Sequence, residues 1–269
     1  MTSEELYKQL EEGIQNCISS STYRKYLTVM SRFHKYSWQN SLLIALQCPT
    51  ATYVAGYRTW QARFNRIVKK GEKAIYIYAP MRKKCEDASE DDEEAYYISG
   101  FRPVPVFDIS QTIGPNLPSL TAELTDPVKD YNTIFNRLQH IAGTSIVEAP
   151  AESHFFGSYN RVTDVITLRS GISELQGIKT LIHETAHRRL HRERTQSRIS
   201  AEVEAESVAF IVCEYLHLDT SDYSFPYIAN WSSEDLSYLK NSFPVIYKTA
   251  MQLISEYNEL ANAGGKEKE

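Results

Sequence analysis

Cysteine is scarce in this 269-residue chain, and its four copies, Cys17, Cys48, Cys85 and Cys213, are widely separated with no C-x-x-C pair. That spacing gives no sign of a disulfide framework. No secretory leader is legible either, so the expected compartment is a reducing cytoplasm. Long apolar runs are also missing: Leu42 to Leu46 is one of the longest, far short of the roughly 20 residues that cross a bilayer. No membrane partner is expected. No repeat recurs along the chain, which argues against a solenoid. With 42% hydrophobic and 23% charged residues, the composition is not that of a disordered chain.

What is present is length and an uneven charge. A chain of 269 residues exceeds the roughly 100–200 of one average domain, so two domains are expected. The net charge of −5 conceals a basic segment, residues 1–84, with fourteen Lys and Arg against five Glu. Seven acidic residues follow between Glu86 and Glu94, and the rest of the chain is acidic.

Apolar spacing predicts helices through Leu6, Leu10, Ile14 and Cys17, through Tyr23 to Phe33, and over Gln39–Gln47, ending before Cys48-Pro49. Thr52–Tyr57 reads as extended, Arg58–Phe64 as a short helix and Ala74–Tyr78 as a strand. The acidic stretch within residues 83–94 reads as a loop, and Tyr96–Asp108 as a strand pair around Gly100. Gly114, Pro115, Pro118 and Asp126-Pro127 mark a linker. Beyond it come a helix over Val128–Ile141 and a hairpin of His154–Tyr159 with Arg161–Leu168. Helices follow over Glu174–His191, Ser200–Leu216 and Ser233–Asn262. The fold class is therefore α+β: a basic domain over residues 1–117, a linker at 118–125 and a second domain over 126–269.

The chemistry is concentrated in His183-Glu184-Thr185-Ala186-His187, an H-E-x-x-H pattern inside a predicted helix. Histidines four apart lie on one helix face about 6 Å apart along the axis, so both imidazoles can bind one Zn²⁺. Glu184 is then the candidate catalytic residue, taking a proton from water as it attacks a carbonyl. A catalytic zinc takes three protein ligands. His191 lies a further turn along the same helix with no glycine to fold it back, so the candidates are Glu202, Glu204 and Glu206. Glu202 and Glu206 share one face, and Glu204 is turned about 200° from Glu202, so only one of these faces is expected to look at the histidine helix. The preferred assignment is Glu202 as ligand with Glu206 behind it, orienting a histidine. Tyr159, Tyr223 and Tyr227 are candidates for an oxyanion donor.

Four further segments, Tyr36 to Ile44, Ala51 to Trp60, Val68 to Ile75 and Gly100 to Asp108, followed by H-E-x-x-H, resemble the ArdC antirestriction family over most of the chain. The resemblance implies an N-terminal domain that binds single-stranded DNA, coupled to a zincin-like, gluzincin-type metallopeptidase domain related to ImmA and IrrE. It also implies an origin on a conjugative mobile element. In the ImmA and IrrE group the third ligand is a glutamate four residues before a polar residue on the next helix, which falls on Glu202 with Glu206. Asn65 stands where the resemblance suggests glycine, and the run Glu86 to Glu94 is peculiar to this chain.

Single strands are held by cations along the phosphates and by rings on which bases stack. Tyr36, Trp38, Tyr57 and Trp60 interleave here with Arg58, Arg63, Arg66, Lys69, Lys70 and Lys73. On the residues alone, a core with a solvated basic face explains the pattern equally well; the resemblance favours DNA. It implies protection of an incoming mobile element, with host restriction proteins as the objects of proteolysis or masking. One alternative is an ImmA-like peptidase that cleaves a repressor. Another is a non-catalytic single-strand-binding protein with a structural zinc.

Overall fold

The computed structural model describes residues 1–16, 20–33, 35–84, 96–115, 117, 127–193, 197–218 and 235–265. The acidic run Glu86 to Glu94, the linker at 118–125, Tyr223 and Tyr227 lie outside the described residues. The chain forms two compact units, one of residues 1–17 and 35–118, the other of 18–34 and 119–269.

The first unit contains helices α1 (Ser3–Asn16), α3 (Trp38–Gln47) and α4 (Tyr57–Phe64) with strands β1 (Val54–Ala55), β2 (Ile67–Val68), β3 (Ile75–Lys84), β4 (Tyr96–Asp108) and β5 (Thr112–Ile113). Ser37 caps α3 by accepting from the Asn40 backbone N–H, and the helix stops at Cys48, before proline. Strands β3 and β4 form a long antiparallel hairpin, with β1 on the far side of β4. Two amides of α3 cover the outer edge of β3: Gln47 bonds both backbone groups of Tyr76, and Asn40 bonds both of Tyr78, at 2.8–2.9 Å. An edge that would otherwise invite pairing with another chain is closed in this way. Tyr96–Asp108 is one continuous strand where a strand pair was expected. Gly100 coincides with a register shift opposite Met81 and Arg82, and a bulge bends a strand without ending it.

Asn65 ends α4 in the left-handed conformation, with φ 50° and ψ 39°. That backbone explains why glycine suits the position and why asparagine, the side chain best tolerated there, can replace it.

The second unit takes helix α2 (Ser20–Arg32), although α2 lies within the basic segment in sequence. Its buried face of Tyr23, Tyr26, Leu27 and Met30 is as amphipathic as the spacing suggested, but its partners come from distant sequence. Tyr26 meets Phe243 edge-on at 5.0 Å, and the Tyr23 hydroxyl is 2.8 Å from Ser207 Oγ. The remaining elements are α5 (Pro127–Ala142), β6 (Ser145–Ala149), β7 (Gly157–Asn160), β8 (Val165–Arg169), α6 (Glu174–His191), α7 (Arg198–Tyr215) and α8 (Asp235–Gly265). The sheet order is β6-β8-β7, with β7 antiparallel and β6 parallel to β8. Strand β6 had no counterpart in the sequence reading, because Ser145–Ala149 has no strict alternation.

Two devices fix α6 against this sheet. A Cβ at Gly157 would stand 2.4 Å from Thr180 Cγ2 and 3.0 Å from the Thr167 carbonyl oxygen, so only glycine allows β7 this close. Asp164, in the turn between β7 and β8, accepts two bonds from Arg188 (2.8 and 2.9 Å) and one from Arg192 (2.8 Å). The Arg188 guanidinium in particular holds the Asp164 pKa down at about 2. Ser173 caps the start of α6, and Arg188, Arg189 and His191 occupy its last turn, where positive charge complements the helix dipole. No helix among the described residues is long and apolar enough to cross a membrane.

Candidate metal centre

On α6, His183 and His187 turn their Nε2 atoms toward each other at 3.0 Å. From α7, Glu202 Oε2 completes a triangle, 3.4 Å from His183 Nε2 and 3.6 Å from His187 Nε2. A tetrahedral ion with bonds of about 2.0–2.1 Å needs donor atoms about 3.3 Å apart, so these three can share one ion. His183, His187 and Glu202 form a cluster that could hold a metal. Behind it, His183 Nδ1 lies 3.0 Å from Glu206 Oε2, which puts a second carboxylate against the ring whose Nε2 enters the triangle.

The electrostatics favour a cation. Burial opposes a charge on His183, but its hydrogen bonds to Glu202 and Glu206 override that cost and push its pKa up to about 10. The same imidazole bonds hold the Glu202 carboxyl well below its usual range. Glu184 is buried, and burial raises its pKa even though His183 and His187 oppose the shift. A cavity of about 330 Å³ opens beside these groups, lined by Phe156, Gly157, Lys179, His183, Glu184 and Glu206 among others. The Tyr159 side chain is engaged elsewhere, its hydroxyl donating to Asp164 Oδ1 at 2.9 Å.

Both faces of α7 meet histidines of α6, where only one was expected to do so. Glu204, turned away from Glu202, reaches the third histidine of the row, with Oε2 3.1 Å from His191 Nε2. His191 stands outside the triangle, with Nδ1 2.9 Å from His187 Nδ1. The sequence reading set His191 aside as a ligand and gave it no other part. The signal for one was the i, i+4, i+8 spacing of His183, His187 and His191.

The candidate DNA-binding residues divide. Trp60 is fully buried, donates from Nε1 to the Phe107 carbonyl at 2.9 Å and packs on Tyr53 and Phe64, so it has no face on which a base could stack. Arg66 is also buried, its guanidinium bonded to Thr112 Oγ1 and to the carbonyls of Thr112, Gly114 and Pro115. Both are structural, which corrects their assignment to the DNA surface. Tyr36 is half-buried and donates its hydroxyl to the Val54 carbonyl, and Trp38 is half-buried. Tyr57, Arg58, Arg63, Lys69, Lys70 and Lys73 are exposed. Of the candidates, one exposed ring and five exposed cations remain, fewer than the sequence suggested.

The molecule is thus a mixed α+β protein whose second unit brings an H-E-x-x-H helix and a neighbouring glutamate into one potential metal site. Residues 2–107 match the family model described as the N-terminal domain of anti-restriction factor ArdC. Two solved structures share the fold, both of the antirestriction ArdC protein from the R388 plasmid, with TM-scores of 0.51 and 22% identity. The metal-free structure covers 86% of this chain and 86% of that one; the Mn(II)-bound structure covers 83% and 84%. An uncharacterized protein of Bacillus anthracis is 25% identical over 292 residues, spanning 89% of this chain and 48% of that protein. The chain therefore spans about half the length of the curated relative it matches.

Proposed function

We propose that this chain is an antirestriction-type protein of a mobile element, active in the cytoplasm, that binds single-stranded DNA and carries a zinc-dependent peptidase site. The observation that carries the second part is the triangle of His183, His187 and Glu202 with the buried Glu184 carboxylate on the adjoining cavity. Two imidazoles and one carboxylate suit zinc and leave a fourth position open. Zinc held there would act as a Lewis acid toward water and a substrate carbonyl. Glu184, with its raised pKa, is suited to accept the proton of the attacking water and return it to the leaving amine. Strand β7 is an edge strand bordering the same cavity through Gly157, which offers backbone partners to an extended peptide.

The first part is supported by the ArdC family match over residues 2–107 and by the exposure of Tyr57, Arg58, Arg63, Lys69, Lys70 and Lys73. One preparation tests both parts. The purified full chain should contain one zinc by elemental analysis, cleave a fluorescent casein and retard a labelled thymidine oligonucleotide. Glu184→Gln should keep the zinc and the DNA binding and lose cleavage. Normal cleavage by that variant would refute the peptidase site, and failure to bind the oligonucleotide would refute the DNA reading.

A further inference from the structure

We infer that His191 and Glu204 form a buried relay that fixes the tautomer of His187, leaving His187 Nε2 unprotonated and free to bind the metal. The inference rests on the metal-centre reading above and concerns how the chain prepares that centre.

Glu204 has no exposure to solvent, and a carboxylate in that position must be compensated by hydrogen bonds. Its Oε1 accepts from the Tyr238 hydroxyl at 2.9 Å and from Ser242 Oγ at 2.7 Å, both on α8. Its Oε2 faces His191 Nε2 at 3.1 Å. An ionised carboxylate can only accept, so His191 Nε2 carries the hydrogen. In the relay His191 is neutral, so its Nδ1 is bare, 2.9 Å from His187 Nδ1. For a bond to form there, His187 Nδ1 must be the donor. Neutral His187 is consequently bare at Nε2, the atom that faces His183 and Glu202.

Each histidine of the triangle has a carboxylate of α7 behind its Nδ1 side. Glu206 orients His183 directly, and Glu204 orients His187 through His191. The helix makes the longer route necessary. His183, His187 and His191 recur every four residues, so their ring centroids lie 4.7 and 5.0 Å apart in a row and His191 stands between His187 and Glu204. His191 is a positioning residue here, and the hydroxyls of α8 anchor the far end of the row.

Glu204→Gln tests the relay with almost no change of shape. The amide oxygen stays with the two hydroxyls, which places the NH₂ against His191 Nε2. That nitrogen must then accept, the hydrogen of His191 moves to Nδ1, and His187 is left protonated at Nε2. Zinc affinity, measured by competition with a chromophoric chelator, should fall about 10- to 100-fold, with the thermal midpoint of the metal-free protein little changed. Unchanged affinity in Glu204→Gln would overturn the relay, whereas absence of zinc binding in the wild-type protein would overturn the metal centre itself. Histidine ¹⁵N spectra of the metal-free wild-type protein decide independently of any variant. His187 should show Nδ1 protonated and Nε2 bare, and His191 the reverse. A His187 ring protonated at Nε2 and bare at Nδ1 would refute the inference even if Glu204→Gln fails to fold.

Discussion

Replacing Trp60 by alanine separates packing from binding in the first unit. The indole is fully buried, and its removal costs about 3–5 kcal/mol in lost burial and residual cavity. Its Nε1–H also serves the Phe107 carbonyl, next to Asp108, whose carboxylate holds the backbone N–H groups of Thr52 and Tyr53. Leaving that carbonyl without its donor adds about 1–3 kcal/mol. A unit of this size has about 5–15 kcal/mol in all, so Trp60→Ala should consume much of its stability. At about 4–8 °C per kcal/mol for a domain of 60–100 residues, its unfolding midpoint should fall by more than about 10 °C. Circular dichroism during thermal unfolding of the full chain measures this, with Trp60→Phe as a milder companion that keeps a ring and loses only the N–H. DNA binding should follow the folded fraction in both variants. A Trp60→Ala protein with the wild-type midpoint but lower affinity for single strands would show that the ring contacts bases and that its buried placement is wrong.

The exposed cations should behave differently: neutralising Lys69, Lys70 and Lys73 together should flatten the dependence of log K on log salt by about 2, at about 0.7 per phosphate contact. An unchanged slope in a salt titration of oligonucleotide binding would remove them from the interface. Gly157→Ala should lower stability by about 1–3 kcal/mol in chemical denaturation, since the new methyl collides with Thr180 on α6, and Thr180→Ser should recover part of the loss. A fully additive double variant would refute that contact. Asp164 has its pKa lowered from 3.8 to about 2, so the stability it contributes is fully present above 3.8 and is lost as pH falls through about 2. The difference in thermal midpoint between wild type and Asp164→Asn should therefore hold constant from pH 7 to pH 4; a difference already closing at pH 5 would contradict the Arg188 clamp.

Local pattern alone determined a good part of this molecule. The span of α6, its H-E-x-x-H segment, the shared face of Glu202 and Glu206 and the antiparallel β7–β8 hairpin all follow from helical and strand periodicity, because each depends on residues a few positions apart. Tertiary structure decided what periodicity cannot encode. An amphipathic stripe says that α2 must bury a face, but not that the face belongs against α7 and α8, far downstream in the chain. Composition marked Trp60 and Arg66 as aromatic and basic, but only the fold shows that Phe107 and Thr112 enclose them. Rotation about one helix placed Glu204 opposite Glu202. The crossing of α7 over α6, and the presence of α8 behind it, turned that opposite face toward His191, because side chains on one helix meet partners set by how three helices pack and not by their spacing in the chain.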